Sequence, residues 1–407
     1  MSAFLINHKR SLIKLGIITL VALIIRLAAI PLAPQSLLPD NLSYRATALE
    51  ILQGEVISND STMPLYPLSL VLFGGGEKSP LLVGMITSLI SIILIWALAW
   101  AIFKDEKAGL VAASMMAVYP MVIFYSVVGL TESLFVPLVL GAFLALYKNR
   151  PALASTLFVM SILTRATMDA FAPFVIFWHT LVVQKAGLSR AFRDLTIYGI
   201  LYVLIMSPWW YHNAQKFDYF VRLNQGFGTV LYSGNNPMNM SGGGIGGIDF
   251  DVSNVFGSID QIPSVKAEAD HKLLNAAIEY IRNNPGNFFK MAGVKFVRIW
   301  SLVPHAPALR GNKLALISTL SLLPVLVFAF ITLITRRDLF WHLTSILGFI
   351  SYLTLVHMIT IGSIRYRFPL EPLLIVIAAP SLLLAWNFVF SKGASAKKSN
   401  IRLSDTQ

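Results

Sequence analysis

The sequence contains no cysteine. Disulfides and thiolate metal ligands are therefore excluded, and any loop facing an oxidising compartment must be held by packing and hydrogen bonds. Charge is scarce as well: 13% of the residues are charged against 56% hydrophobic, and the mean hydropathy is +0.68. A soluble core cannot bury that much apolar surface over 407 residues, so the chain needs lipid. The alternating segments of about ten residues that mark a transmembrane barrel are missing. Apolar runs of about twenty residues stand instead, the length a helix needs to cross the hydrocarbon. The 7 histidines show no metal spacing such as His-x-x-x-His. There is no internal repeat and no room for a soluble nucleotide-binding domain.

What is present predicts an all-α polytopic transmembrane bundle of about ten spans. They are placed at 12–32, 80–103, 108–127, 131–147, 152–165, 167–184, 194–211, 314–335, 339–358 and 369–390. The net charge of +12 is gathered between spans, as membrane topology requires, not in a nucleic-acid-binding patch. With both termini in the cytoplasm, Lys9/Arg10/Lys14, Lys104/Lys107, Lys148/Arg150, Lys185/Arg190/Arg193, Arg336/Arg337 and the 391–407 tail all fall inside. The first span is read as an uncleaved anchor, since it lacks a small-x-small cleavage site. The chain is expected to be one integral membrane domain with two long outer segments, 34–79 and 213–313. Long ordered loops often carry function.

In the first outer loop, Pro39-Asp40 through Gly54 predicts a short amphipathic helix along the membrane surface. In the second, 265–283 predicts a helix, and 285–300 an interfacial one with Phe288, Phe289, Phe296 and Trp300 among Lys290, Lys295 and Arg298. Asp40 lies at the outer end of the first span, where partial desolvation would make a carboxylate basic enough to abstract a proton. An acid after proline at a helix start is equally a cap, and both readings stay open. Tyr44 follows one turn later on the same face. Glu132, after Thr131, falls at the outer start of the fourth span on the same side, either as a second site acid or as a first-turn helix acid. Arg165 ends the short fifth span, where an arginine is usually paired, snorkelling or functional. Arg26 poses the same question in the first span. Arg365 and Arg367 stand on the side that inside-positive bias disfavours, which an anionic ligand would explain. The glycine-rich stretch 241–247 reads as a linker or lid, not a phosphate loop, because no βαβ unit surrounds it. Asp249-Phe250-Asp251 is a weak metal motif outside any nucleotide-sugar domain.

In order and topological side, these segments resemble the GT-C superfamily of membrane glycosyltransferases, in particular bacterial relatives of protein O-mannosyltransferases and of the lipid A aminoarabinose transferase (glycosyltransferase family 39-like). The resemblance is carried by Asp40-x-x-x-Tyr44, Pro64-Leu65-Tyr66-Pro67, Tyr119-Pro120 through Thr131-Glu132, and Leu163-Thr164-Arg165. It continues through Ser207-Pro208-Trp209 with His212-Asn213, Tyr232 to Pro237, and Arg365-Tyr366-Arg367-x-Pro369.

It implies an inverting transfer, on the extracytoplasmic face of a bacterial inner membrane, from a polyprenyl-phosphate sugar to a glycan, lipid or protein acceptor. Asp40 and Glu132 become the catalytic candidates. Arg165, Arg365 and Arg367 become donor-phosphate ligands, and Tyr44, Tyr66, His212, Asn213, Asn235 and Asn236 shape the substrate site. Asn41 stands where many relatives carry a second acid, and His212 where many carry arginine. No obligatory metal is therefore expected, although a divalent cation is possible in this family. The competing classes are a flippase of lipid-linked sugars, and a lipid-linked oligosaccharide ligase or polymerase.

Overall fold

The structure, a computed structural model, describes residues 8–32, 39–59, 61–217, 220–243, 267–304 and 312–404. Among these residues every regular element is helical. Five helical stretches are long and apolar enough to cross a bilayer: Lys9–Leu32, Ser79–Phe103, Ala315–Thr335, Arg337–Ile359 and Ile364–Phe388. A bent pair, Glu106–Val118 with Pro120–Val128, makes a sixth candidate. The segments expected as the fourth to sixth spans form the shorter apolar helices Thr131–Tyr147, Pro151–Ile162 and Phe171–Val183. At 1.5 Å per residue the first two of these are only about 25 and 18 Å long. The protein is an integral membrane protein, and its helices are less uniform in length than hydropathy suggests.

In chain order we denote α1 (Lys9–Ala29), α2 (Pro39–Gln53), α3 (Leu65–Val71), α4 (Ser79–Phe103), α5 (Glu106–Val118), α6 (Pro120–Val128) and α7 (Thr131–Tyr147). There follow α8 (Pro151–Ile162), α9 (Phe171–Trp178), α10 (Leu188–Phe217), α11 (Phe227–Gly234), α12 (Ala267–Asn283) and α13 (Pro285–Ile299). The last four are α14 (Asn312–Thr335), α15 (Phe340–Ile359), α16 (Ile364–Arg367) and α17 (Glu371–Ser404). Helix α4 is central, packing on α1, α5, α6 and α7; α8 joins α7 to α10, and α17 lies against α5 and α14. Between α10 and α14, α11 packs on α12 and α13 on α15. Residues Asp249 and Asp251, and 244–247 of the glycine-rich stretch, lie outside the described residues.

Two local features set up the face on which Glu132 lies. The α5–α6 pair bends by 56° at Tyr119, which is extended because the residue before proline avoids the helical region. Helix α6 then stops at Gly129, whose φ of +64° suits glycine. A Cβ there would meet the Pro80 carbonyl oxygen at 2.1 Å, so the turn lies directly on the start of α4. This close approach fixes where α7 begins, and Glu132 with it.

Candidate active site at the ends of α2, α7, α8 and α16

Helix α2 is fastened onto the Gly129 turn. Asn41 donates Nδ2–H to the Val128 carbonyl at 2.7 Å, and the Tyr66 hydroxyl of α3 donates to the Gly129 carbonyl. Tyr44 packs edge-on against Tyr66 with ring centroids 5.1 Å apart. The Leu65 amide donates to the Leu163 carbonyl at 2.9 Å, which ties α3 to the end of α8 beside Arg165. The asparagine standing in place of a second acid therefore does structural work, presenting its neighbour Asp40 to the start of α7.

Glu132 is fully buried, and two guanidinium groups converge on it. Its Oε1 accepts from Arg165 Nη1 at 2.7 Å and from Arg365 Nε at 2.5 Å. Its Oε2 accepts from Thr131 Oγ1 at 3.2 Å and Arg365 Nη2 at 3.4 Å. Arg365 extends Nη1 to Asp40 Oδ2 at 2.5 Å, so one arginine bridges both acids. Asp40 sits in the first turn of α2, and this is the bond its carboxylate makes among the described residues. Exposure rises from 0% at the Glu132 side chain to 31% at Arg365 and 42% at Asp40. The cluster is thus sealed at Glu132 and open at Asp40. Four formal charges cancel within it, which is what lets a carboxylate be buried at a helix end. Charge-assisted and partly bidentate bonds of this kind hold the two guanidinium groups in fixed orientation.

Aromatic rings support the arginines. The Arg165 guanidinium carbon lies 5.8 Å from the Tyr366 ring centroid and 6.0 Å from that of Phe135, within cation–π range. His357 of α15 stacks on Tyr366, with centroids 4.1 Å apart and an interplanar angle of 2°. Burial pushes the Tyr44 phenol up to about 12, so at neutral pH it keeps its proton and can act as a donor beside Asp40.

The remaining candidates lie elsewhere. Arg367 is only two residues from Arg365 but points into the protein, donating to Glu371 Oε1 at 2.6 Å and to the carbonyls of Ile299 and Ser301 at 2.9 and 2.5 Å. Arg26 does not snorkel. It is fully buried, donating to Ser88 Oγ at 2.8 Å and to the Ala22 and Ala117 carbonyls, each at 3.0 Å. Asn213 donates to the Val221 and Leu223 carbonyls at 3.0 and 3.1 Å, which orders the chain leaving α10, while His212 stacks on Trp209. Asn236 accepts from the Met238 and Asn239 amides at 2.8 and 3.0 Å and so shapes its own turn. Asn235 joins α11 to α15 through the Ile359 carbonyl at 2.8 Å and accepts from Lys295 Nζ at 3.1 Å.

Sequence reasoning did not single out the structural part of Asn41 or the placements of His357 and Lys295. For His357 the signal was a polar residue near the end of an apolar span. For Lys295 it was a lysine on the helix face that Met291, Ala292 and Ile299 bury.

No protein-family model matches the sequence, and no curated protein matches it either. Solved structures do. The oligosaccharyltransferase AglB of Archaeoglobus fulgidus, in complex with an inhibitory peptide and a dolichol-phosphate, matches 96% of this chain at 12% identity with a TM-score of 0.56. The apo form of the oligosaccharyltransferase from that organism matches 95% at 11% identity, with a TM-score of 0.52. ArnT from Cupriavidus metallidurans, bound to undecaprenyl phosphate, matches 91% of this chain and 76% of its own at 14% identity, with a TM-score of 0.46. The chain spans about half the length of the oligosaccharyltransferases, 52% in both cases. Such low identity speaks to fold alone: this chain shares the fold of the corresponding half of those oligosaccharyltransferase structures.

Proposed function

We propose that the protein is a membrane glycosyltransferase that moves a sugar from a polyprenyl-phosphate donor to an acceptor on the extracytoplasmic face, with inversion. The observation that carries this reading is the bridge Asp40–Arg365–Glu132–Arg165 at the outer helix ends. It places an accessible carboxylate beside two fixed guanidinium groups. An attacking hydroxyl needs the first, and a departing phosphate needs the second. The fold supports the donor class, since an oligosaccharyltransferase of the same fold binds a dolichol-phosphate.

In this mechanism Glu132 does not react. Its buried charge holds Arg165 and Arg365 in place, and the donor phosphate docks on their free N–H groups at the open side. Arg365 Nη1 is engaged by Asp40 in the unliganded protein, so the phosphate competes with that carboxylate. Once displaced, Asp40 accepts the acceptor hydroxyl's proton as the oxygen attacks the anomeric carbon. The leaving phosphate departs as an anion and needs neutralisation, not protonation, so no acid pair of the hydrolase kind is required.

The topology that fits is the ten-span arrangement with both termini in the cytoplasm of a bacterial inner membrane. Chain segments 34–79 and 213–313 then stand outside, and 391–407 inside. No obligatory metal enters this scheme, so transfer in chelator should equal transfer in added divalent ion. A loss in chelator that the ion restores would overturn that part.

The test supplies labelled polyprenyl-phosphate sugars to membranes holding the wild type or Asp40→Asn. Transfer should fall about a hundred- to ten-thousandfold in the variant, the usual worth of a positioned general base. Asp40→Asn should also bind sugar-free prenyl phosphate more tightly than the wild type, because the rival carboxylate charge is gone. Unchanged transfer in the variant would sink the base assignment. Transfer from no donor, with lipid-linked sugar still crossing the bilayer, would favour a flippase.

A further inference from the structure

His357 is a buried imidazole whose Nδ1 makes no hydrogen bond among the described residues. The residue is 6% exposed, near the end of α15, and its Nδ1 is sealed from solvent without a partner. Its ring lies flat on Tyr366, which itself lies within cation–π range of Arg165, and the charges of Arg165 and Glu132 both act on it. Apolar packing alone would be served as well by phenylalanine, without stranding a ring nitrogen away from water. Native proteins rarely leave such an atom unsatisfied, and a ligand is one standard resolution. The acid whose charge acts on it is already committed. Both Glu132 oxygens are taken by Arg165, Arg365 and Thr131.

Resting on the glycosyltransferase reading above, we propose that His357 contacts the donor, its imidazole N–H donating to a phosphate oxygen that Arg165 also attracts. A neutral imidazole suits this place because it adds a directional donor without a third cation to a cluster whose charges already cancel. The flat stack on Tyr366 fixes the ring plane, and the same tyrosine steadies Arg165. One aromatic residue thereby sets two phosphate donors at once.

Binding of a sugar-free C15 prenyl phosphate in detergent is compared for the wild type, His357→Phe and His357→Gln, each with its melting temperature. The Phe variant keeps the stack and loses the nitrogens; it should bind about tenfold more weakly, as for one hydrogen bond to a charged group, with its melting temperature unchanged. The Gln variant restores an N–H and should recover most of the affinity. Equal affinity in the wild type and His357→Phe would overturn the inference. If the Phe variant fails to fold, His357→Gln and His357→Met, alike in volume, decide the matter, and equal affinity between them overturns it. If the wild type binds no prenyl phosphate at all, the donor class itself fails. That outcome differs visibly from a bound ligand indifferent to His357.

Discussion

Arg365 and Arg367 flank one tyrosine, yet they belong to different regions of the molecule. Arg365 reaches outward to two carboxylates and is 31% exposed at its side chain, whereas Arg367 is 1% exposed and closed off with Glu371 and two carbonyls. Helix α16 is a single turn, so residues two apart point to roughly opposite sides of it. The inner pair is sealed within the protein, its guanidinium held by Glu371 and two carbonyls, and is not presented to a ligand at the surface. The outer cluster is balanced in charge but open, and its N–H groups can change partners. A buried arginine at a membrane interface is therefore informative through what already satisfies it, and not through its charge alone.

The largest effect should come from breaking the outer region. Arg365→Ala removes the bridge between Asp40 and Glu132 along with one phosphate ligand. Transfer of labelled sugar should fall by about a thousandfold, the equivalent of roughly 4 kcal/mol. Arg365→Lys should recover little, because an ammonium cannot span two carboxylates as the guanidinium fork does. An Arg365→Ala protein that retains near wild-type transfer would place the site elsewhere.

The inner region should respond in the opposite currency. Arg367→Ala strands a buried Glu371 carboxylate and should cost about 3–5 kcal/mol of stability. The readout is a lowered thermal midpoint in detergent, while transfer per folded molecule stays within a few-fold of the wild type at a temperature where the variant is folded. Replacing both residues, as in Arg367→Met with Glu371→Leu, should recover much of that stability, since a buried ion pair is often no better than packed hydrophobes. Should Arg367→Ala abolish transfer without loss of stability, the two arginines would not differ in the way argued.

This division was only partly legible in the sequence. Hydropathy and charge placement marked a helical membrane protein, and the expectation that Asp40, Glu132, Arg165 and Arg365 share one membrane face followed from the topology read from the sequence. The structure brings those four together. Hydropathy reports which stretches leave water, but not which side of a one-turn helix faces a cleft, so Arg365 and Arg367 read alike. The fifth span already read as short, as α8 is, whereas α7 and the stretch Phe171–Val183, expected as ordinary spans, also fall among the shorter apolar helices. Asn41 read as a missing acid, because a side-chain bond to the Val128 carbonyl 87 positions away leaves no local trace.

Asn41 supplies a milder break between scaffold and site. Asn41→Ala leaves Asp40 chemically intact but frees α2 from the Val128 carbonyl, a buried bond worth about 1–2 kcal/mol. Transfer should drop roughly tenfold, chiefly in kcat, because Asp40 is held less firmly against its substrate. A variant that loses the same stability and no activity would show that α2 is positioned by its other contacts.

The smallest effect, and the most specific, concerns Lys295. This lysine of α13 is fully buried and, among the described residues, has no acid partner, donating instead to Asn235 Oδ1 at 3.1 Å and the Ile359 carbonyl at 3.2 Å. Burial lowers its pKa from 10.5 to about 8. Between those values the unfolded chain binds more protons than the folded one, so stability rises with pH across that window and levels off below about 8, where both states are protonated. Lys295→Met should flatten that slope in thermal midpoints measured between pH 8 and 10.5. It should leave the midpoint at pH 7 little changed or higher, because the burial cost of the charge is removed together with two modest hydrogen bonds. The variant also discriminates between kinds of buried cation. Among the described residues Lys295 donates to neutral acceptors and should titrate away its own burden as pH rises, whereas Arg367 cannot lose its proton and depends on Glu371 at every pH the protein survives.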